Sequence, residues 1–522
     1  MSEEFSEQQV LSQQVQQQDS KYIPKPMRFW ETTPISFRGY PINQVEFAPI
    51  NGTQYSQGQL IKIAISSSNG FLNTKESYLR LNIKGTLAAN SGAAGTVRIA
   101  SGHACIKRLR VYTNAGNVEL ERIDDYNYLT SMLLDAYSND AATKSSLFMR
   151  EGYGQITSGI TAENNTVGFS NQTQFRTDAA GAGIISGYDL RTNALPVANA
   201  STAMSTVSFS LMLHASGILG PIRKYLPLPL INQGITLELL LAPPGEVFYN
   251  NRSAVARVVG SYLVTDIAYV ATLVTPDEMF LNTMKQIVMN RGLSLKMSSF
   301  RFYQQSLSTY GSQTTVKLVD TLKSVKGYLG GFYEETSGNG NDCPYERSYM
   351  GLQEYYIRYN NMAIPQTPIV TGQGADVANL NNYFTYVAAG EFQSRGIQNA
   401  LANVLNVLNR LGDTYGGSSR LNLARYAKPR ATYLDNNSDG VTAIETSLQG
   451  EGSFLFGQCL EQYGSDNTIS GLDLSRNNIN ELQLVLKIPS QSGNINQVTL
   501  RVYLYYDMDL KIQRDGSVIV VW

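Results

Sequence analysis

The amino-acid sequence presents one arrangement of strands twice. Around residue 235 it reads Ile235-Thr236-Leu237-Glu238-Leu239-Leu240-Leu241, then Pro243-Pro244, then a long apolar run from Tyr262 to Val274. Around residue 479 it reads Ile479-Asn480-Glu481-Leu482-Gln483-Leu484-Val485-Leu486, then Pro489, then a run from Val498 to Ile512. Each pair follows a helix-like segment, a long polar loop and a short strand. Such a repeat predicts tandem copies of one β-rich unit, an organisation common in structural proteins. The length agrees, because 522 residues exceed one ordinary core and suit two sandwiches of roughly 250 residues each.

Period-two alternation marks the strands. Ile61, Ile63 and Ile65 share one face, as do Leu79, Leu81, Ile83 and Leu87, and then Val207, Phe209, Leu211 and Leu213. In the C-terminal run, Val498, Leu500, Val502, Leu504, Tyr506, Met508, Leu510 and Ile512 lie on one side. Thr499, Arg501, Tyr503, Tyr505, Asp507, Asp509 and Lys511 lie on the other. At about 3.3 Å per residue this strand is roughly 45–50 Å long, which predicts a tall sandwich or a strand that bends between sheets.

Helices are few. Asp124 or Asp125 can cap a helix over Tyr126–Tyr137 whose apolar face is Leu129, Met132, Leu133 and Ala136. A second is predicted over Ile397–Leu411. A third starts at Thr275-Pro276 and stops near Arg291-Gly292, as a connector between the two repeats. Loops rich in Gly, Ala, Ser, Thr and Asn are predicted at 140–205, 330–350, 366–395 and 412–450. Residues 1–25 are Gln- and Ser-rich and read as a flexible arm without a core of its own. The arm turns basic and aromatic from Lys21 to Trp30, which fits either a docking segment or a first turn packed on the domain edge.

Composition excludes several function classes. A net charge of −1 supplies no basic excess for wrapping phosphates. Only 16% of residues are charged, and the abundance of Tyr, Asn and Gln suits broad protein–protein contacts. Cys105, Cys343 and Cys459 are sparse and odd in number, which predicts no disulfide framework and a reducing compartment. The start, Met1-Ser2-Glu3-Glu4, is acidic and lacks an apolar stretch, so no secretory signal is read, and no run is apolar enough to span a bilayer. The sequons at Asn51, Asn164, Asn171, Asn199, Asn251 and Asn436 follow from the Asn/Ser/Thr content and carry no assignment.

No catalytic constellation is readable. The only histidines, His103 and His214, are read as structural, the first in a Ser-Gly-His-Ala turn and the second on the polar face of a strand. Asp124-Asp125 is read as a helix cap rather than a metal pair. Asp507 and Asp509 are read as a solvated edge or as partners of a Lys or Arg. The glycines of Gly338-Asn339-Gly340 and Gly372-Gln373-Gly374 lack the Lys-Ser/Thr of a phosphate cradle. Catalytic, cofactor-binding and metal residues are therefore expected to be none.

Several stretches carry a family resemblance. They are Ser101-Gly102-His103-Ala104, Ile106-Lys107-Arg108-Leu109-Arg110-Val111, Gly116, Val118-Glu119-Leu120-Glu121 and Asp124-Asp125-Tyr126-Asn127. Further on come Leu219-Gly220, Lys224-Tyr225-Leu226-Pro227-Leu228, Gly234 to Leu239, and Tyr262 to Ala268-Tyr269-Val270. Leu500-Arg501-Val502-Tyr503-Leu504-Tyr505-Tyr506-Asp507 closes the series. Together they resemble the double jelly-roll major capsid proteins of tailless icosahedral double-stranded DNA viruses, nearest to those of polinton-like viruses and virophages. The likeness spans most of the chain and is strongest from 77 to 275.

That resemblance implies an all-β fold of two tandem jelly-roll sandwiches with a few short helices and long loops. It implies an arm over 1–27, a first roll over 28–275, a connector helix over 276–292 and a second roll over 293–522. It further implies a non-enzymatic subunit of homotrimeric, pseudo-hexameric capsomers, whose three-fold symmetry closes with one kind of chain. The implied partners are copies of itself, neighbouring capsomers, and penton or vertex and minor capsid proteins. The arm would reach an inner membrane or genome, without specific nucleic-acid binding. The implied location is the virion, assembled in the host cytoplasm or nucleus. The competing classes are a β-sandwich carbohydrate-binding or adhesive fibre protein, and a glycosidase with paired carboxylates. The binding or fibre class usually brings secretion signals, disulfides or calcium-binding Asp clusters, and none is clear here.

Overall fold

The protein's strands are long enough to bury one face along most of their length, and among the described residues they pair into four large antiparallel sheets and two small ones. The computed structural model describes residues 41–87, 97–99, 101–137, 150–151, 176–177, 183–184, 194–195, 203–220, 225–250, 259–307, 313–334, 352–360, 362–370, 455–461, 471–475, 482–488 and 498–521. The predicted arm, the helix over 397–411 and most of the predicted loops lie outside these residues. Residues 42–522 pack as one unit.

The first sandwich opposes two sheets. One runs β1 (Ile42–Phe47), β14 (Val259–Val274), β4 (Phe71–Leu87) and β11 (Ala203–Leu211), with β2 (Gln54–Ser56) paired on β14. The other runs β3 (Leu60–Ile65), β12 (Ile235–Leu241), β6 (Ile106–Thr113) and β7 (Glu119–Asp124). Small accessory sheets hold β5 (Val97–Ile99), β10 (Ala194–Leu195) and β13 (Phe248–Asn250), and pair β8 (Arg176–Thr177) with β9 (Gly183–Ile184).

The second sandwich repeats the plan. One sheet runs β15 (Leu293–Leu307), β22 (Val498–Ile512), β17 (Val325–Glu334) and β20 (Phe456–Cys459), with β23 (Val518–Val521) paired on β22. The other runs β16 (Thr314–Leu318), β21 (Leu482–Lys487), β18 (Glu354–Tyr359) and β19 (Met362–Val370).

The eight principal strands of each half follow one rule. Taken in chain order, strands one, eight, three and six form one sheet, and strands two, seven, four and five form the other. This is the connectivity of a jelly roll, and the chain executes it twice. The two runs that first reveal the repeat, β12 with β14 and β21 with β22, are the seventh and eighth strands of their rolls. Both members of each pair are inner strands, flanked on both sides, which explains their apolar character.

Alternation decides which residues enter the cores. In β3, Ile61, Ile63 and Ile65 are buried while Lys62 and Ala64 are half-buried. Across the sandwich Leu79, Leu81 and Ile83 of β4 belong to the same continuous core. On the outer face, Glu238 of β12 lies opposite Lys62 and Arg110 in register, 3.6 Å and 3.7 Å from their charged nitrogens. Paired opposite charges across strands make that face stable without apolar cover.

The helices follow their local signals, with one correction. Helix α1 (Tyr126–Tyr137) has its predicted bounds, and its apolar residues Leu129, Met132 and Leu133 are buried. Helix α2 (Pro244–Val247) is a single turn after β12. Helix α3 (Glu278–Arg291) lies between β14 and β15, but Asp277 holds its cap position rather than Thr275, so Pro276 precedes the helix. It ends where Gly292 adopts φ 71° and its N–H meets the Val288 carbonyl at 2.8 Å, the left-handed stop that glycine permits. Two predicted loops also start later than the sequence indicates, because β17 extends to Glu334 and β19 to Val370. Among the described residues no helix is long and apolar enough to cross a membrane.

Candidate functional site

The polar-rich side of strand β22 is out of solvent along its first half: Thr499, Arg501, Tyr503 and Tyr505 are all buried. The reason is tertiary: this outer face of the second roll lies against β7 and the start of α1 in the first. Asp125 organises the contact. It takes a left-handed backbone conformation, φ 49°, and its carbonyl accepts from the N–H groups of Tyr128 and Leu129 to begin α1. Its carboxylate does not cap the helix. It meets Lys107 Nζ at 2.7 Å and accepts from Arg501 Nε at 2.9 Å. Tyr503 Oη donates to the Asp125 carbonyl at 2.8 Å.

Aromatic and polar groups complete this seam. The Arg501 guanidinium lies 3.8 Å from the Tyr128 ring centre and 4.9 Å from that of Tyr333, and the two rings meet edge to face. Burial presses the Arg501 pKa down, but Tyr128 and Asp125 outweigh it, so the guanidinium is held above its ordinary range. Lys107 also meets Glu246 of α2 at 2.6 Å, and Glu246 accepts from Asn127 at 2.7 Å. A planar, permanently charged group stacked on rings and paired with a carboxylate suits arginine and not lysine.

A second knot forms around Glu121 of β7. Its carboxylate accepts from Ser216 Oγ at 2.6 Å, Gly217 N at 2.7 Å and, across the seam, Ser299 Oγ of β15 at 2.5 Å. The seam is buried, with Asp125 paired to Lys107 and Arg501, and Glu121 held by hydroxyl and amide donors. Its capacity is mechanical: it sets one roll rigidly against the other.

The structure brings the two histidines together. His103 lies in the short turn Gly102–Cys105, capped by Ser101, whose Oγ accepts from the His103 N–H at 3.1 Å. His214 follows β11 instead of lying on it, because that strand ends at Leu211. Both rings turn Nε2 toward Glu151, at 3.0 Å from His103 and 2.9 Å from His214. Burial alone would raise the Glu151 pKa, but the His214 and His103 imidazoles pull it below the usual carboxylate range. Burial pushes His103 down more than Glu151 pulls it up.

The other residues singled out from sequence stay apart. The Asp124 carboxylate accepts from Arg122 Nε at 2.9 Å. Asp507 meets Lys326 at 2.8 Å, and Asp509 lies 3.7 Å from Lys511. Cys105 is buried and its thiol is pushed up to about 12, which leaves it unreactive. Cys105 and Cys459 are both free thiols. Cys343 and the glycines of 338–340 and 372–374 lie outside the described residues. Sequence reading missed Glu121, Glu151 and the role of Arg501. Only the alternation of β22 hinted at the last, by placing Arg501 among large aromatics.

No protein-family model and no curated protein matches the chain. Solved structures do. A chain of the PBCV-1 virus capsid matches at 10% identity over 95% of this chain and 99% of that one, with a TM-score of 0.52. A chain of the Sputnik virophage structure matches at 12% identity over 94% of this chain and 90% of that one, with a TM-score of 0.54. The protein has the double jelly-roll fold. Neither neighbour matches one roll alone. Each match covers at least 94% of this chain, so it spans both rolls.

Proposed function

We propose that this double jelly-roll protein is a major capsid protein, the subunit from which an icosahedral viral shell is built. The observation that carries the reading is the repetition of one strand order in two rolls locked by a buried seam. Three such chains around one axis present six similar pillars, and a closed three-fold ring needs only one kind of chain. The rigid seam supports this, because a pillar pair that hinged would not tile. The likeness to chains of the PBCV-1 capsid and the Sputnik virophage over nearly their whole lengths supports it as well.

In this reading the role is structural and not enzymatic. The chain divides into an arm over 1–27, a first roll over 28–275, a connector over 276–292 and a second roll over 293–522. Its partners are two copies of itself, then neighbouring capsomers, then vertex and minor capsid proteins, within a virion assembled in the host cytoplasm or nucleus. Light scattering or native mass spectrometry of the purified protein tests the reading. The expected mass is three times the 57.5 kDa of the chain, stable to dilution, since obligate interfaces commonly exceed about 2,000 Å². A monomer at micromolar concentration under mild conditions would overturn it.

A further inference from the structure

His103 and His214 are the only histidines in 522 residues, and both aim Nε2 at the same buried carboxylate. Three separate chain segments deliver them: the turn Gly102–Cys105, residues 150–151, and the turn that follows β11. One ligand atom from each lies within 4.8 Å of the other two. The His103 and Glu151 side chains are at most 1% exposed, and that of His214 is 21% exposed. A structural ion pair needs one imidazole for a carboxylate, and here there are two.

We propose that His103, Glu151 and His214 form a binding site for one divalent transition-metal ion of the zinc type. Two neutral imidazoles and one carboxylate are a donor set that zinc accepts, with a fourth position left for water. One buried polar atom of the cluster, His103 Nδ1, has no hydrogen-bond partner among the described residues. An unspent polar atom on one of three converging ligands is the kind of exception that an unfilled ion site explains. The ion would tie the segment at 150–151 to the end of β11, where the Met212 N–H already reaches Glu151 at 3.3 Å.

The test uses the full chain, purified without a histidine tag and stripped with a chelator. Calorimetric titration with Zn²⁺ should give one ion per chain, and zinc should raise the melting temperature by roughly 5 °C. Substituting Co²⁺ should produce the visible absorption of an imidazole-ligated ion. His214→Ala, at the more exposed ligand, should weaken Zn²⁺ binding by at least about tenfold and abolish the thermal shift. Glu151→Gln should do the same. If the stripped wild-type chain binds no Zn²⁺ at about 100 μM, or if His214→Ala binds it as tightly as wild type, the site does not exist. The wild-type arm reads out without any variant, so a variant that fails to fold leaves the test intact.

Discussion

Glu121 is fully buried, and its environment pulls its charge in two directions. Burial favours the protonated form, while the Ser216, Ser299, Gly217 and Ile218 donors favour the carboxylate. Burial wins and the pKa lies above the ordinary 4.5. The sign of the consequence follows. Above pH 4.5 the unfolded chain releases this proton more readily than the folded one, so the residue's contribution to stability falls as pH rises through the window between the two values and is then constant. Glu121→Gln removes that dependence. The stability of wild type relative to the variant should therefore decline as pH rises from 4.5 and then level off, as denaturant melts at a series of pH values would read. A difference that is flat with pH would show that Glu121 titrates normally. Nothing in the sequence separates Glu121 from Glu119, two residues away in the same strand, which pairs with Arg110 on a half-exposed face. In a regular strand the two would share a face; a register shift between them in the pairing of β7 with β6 breaks that alternation and sends only Glu121 to the seam.

At the scale of elements, local signals worked where the local chain is sufficient. Helix α1 is legible because its apolar stripe recurs at helical spacing, and α3 ends at Gly292 because only glycine readily takes φ 71° there. The alternation of β22 is legible too, but its meaning is not, since a face of Thr, Arg and Tyr reads as wet until a second sandwich covers it. The approach of β15 to the turn after β11 is equally invisible in sequence. A Cβ on Gly217 would sit 2.0 Å from the Ser298 carbonyl oxygen of β15. Gly217→Ala therefore cannot be absorbed by a flexible side chain and must push one roll away from the other. The expected cost is about 1–3 kcal/mol, read by denaturant unfolding. It should come with loosened packing in the seam, read as a weaker near-ultraviolet tyrosine dichroism of the whole chain. A variant as stable as wild type would show that the rolls are not held at this distance.

At the scale of the whole molecule, the Gln- and Ser-rich arm is the segment with least to contribute to either core. It lies outside the described residues, and its proposed place is the inner side of the shell, against neighbouring capsomers or a minor protein. Its basic residues Lys21, Lys25 and Arg28 are too few to package DNA. Deleting residues 1–20 should leave trimers intact by light scattering and prevent or weaken shells in electron micrographs. Collapse of the trimers would assign the arm to the fold, and normal shells would make it dispensable. The sequence alone determined the β class, the duplication, most core residues and the position of α1, because these depend on periodicities that a chain carries in itself. Only the tertiary structure decided the seam and the His103–Glu151–His214 cluster. Glu121 and Ser299 lie 178 positions apart, Asp125 and Arg501 376 apart, and His103 and Glu151 48 apart. No local pattern encodes a meeting across such distances: the seam arises when two folded sandwiches present their faces to each other, and the histidine cluster when three distant segments of the first roll converge.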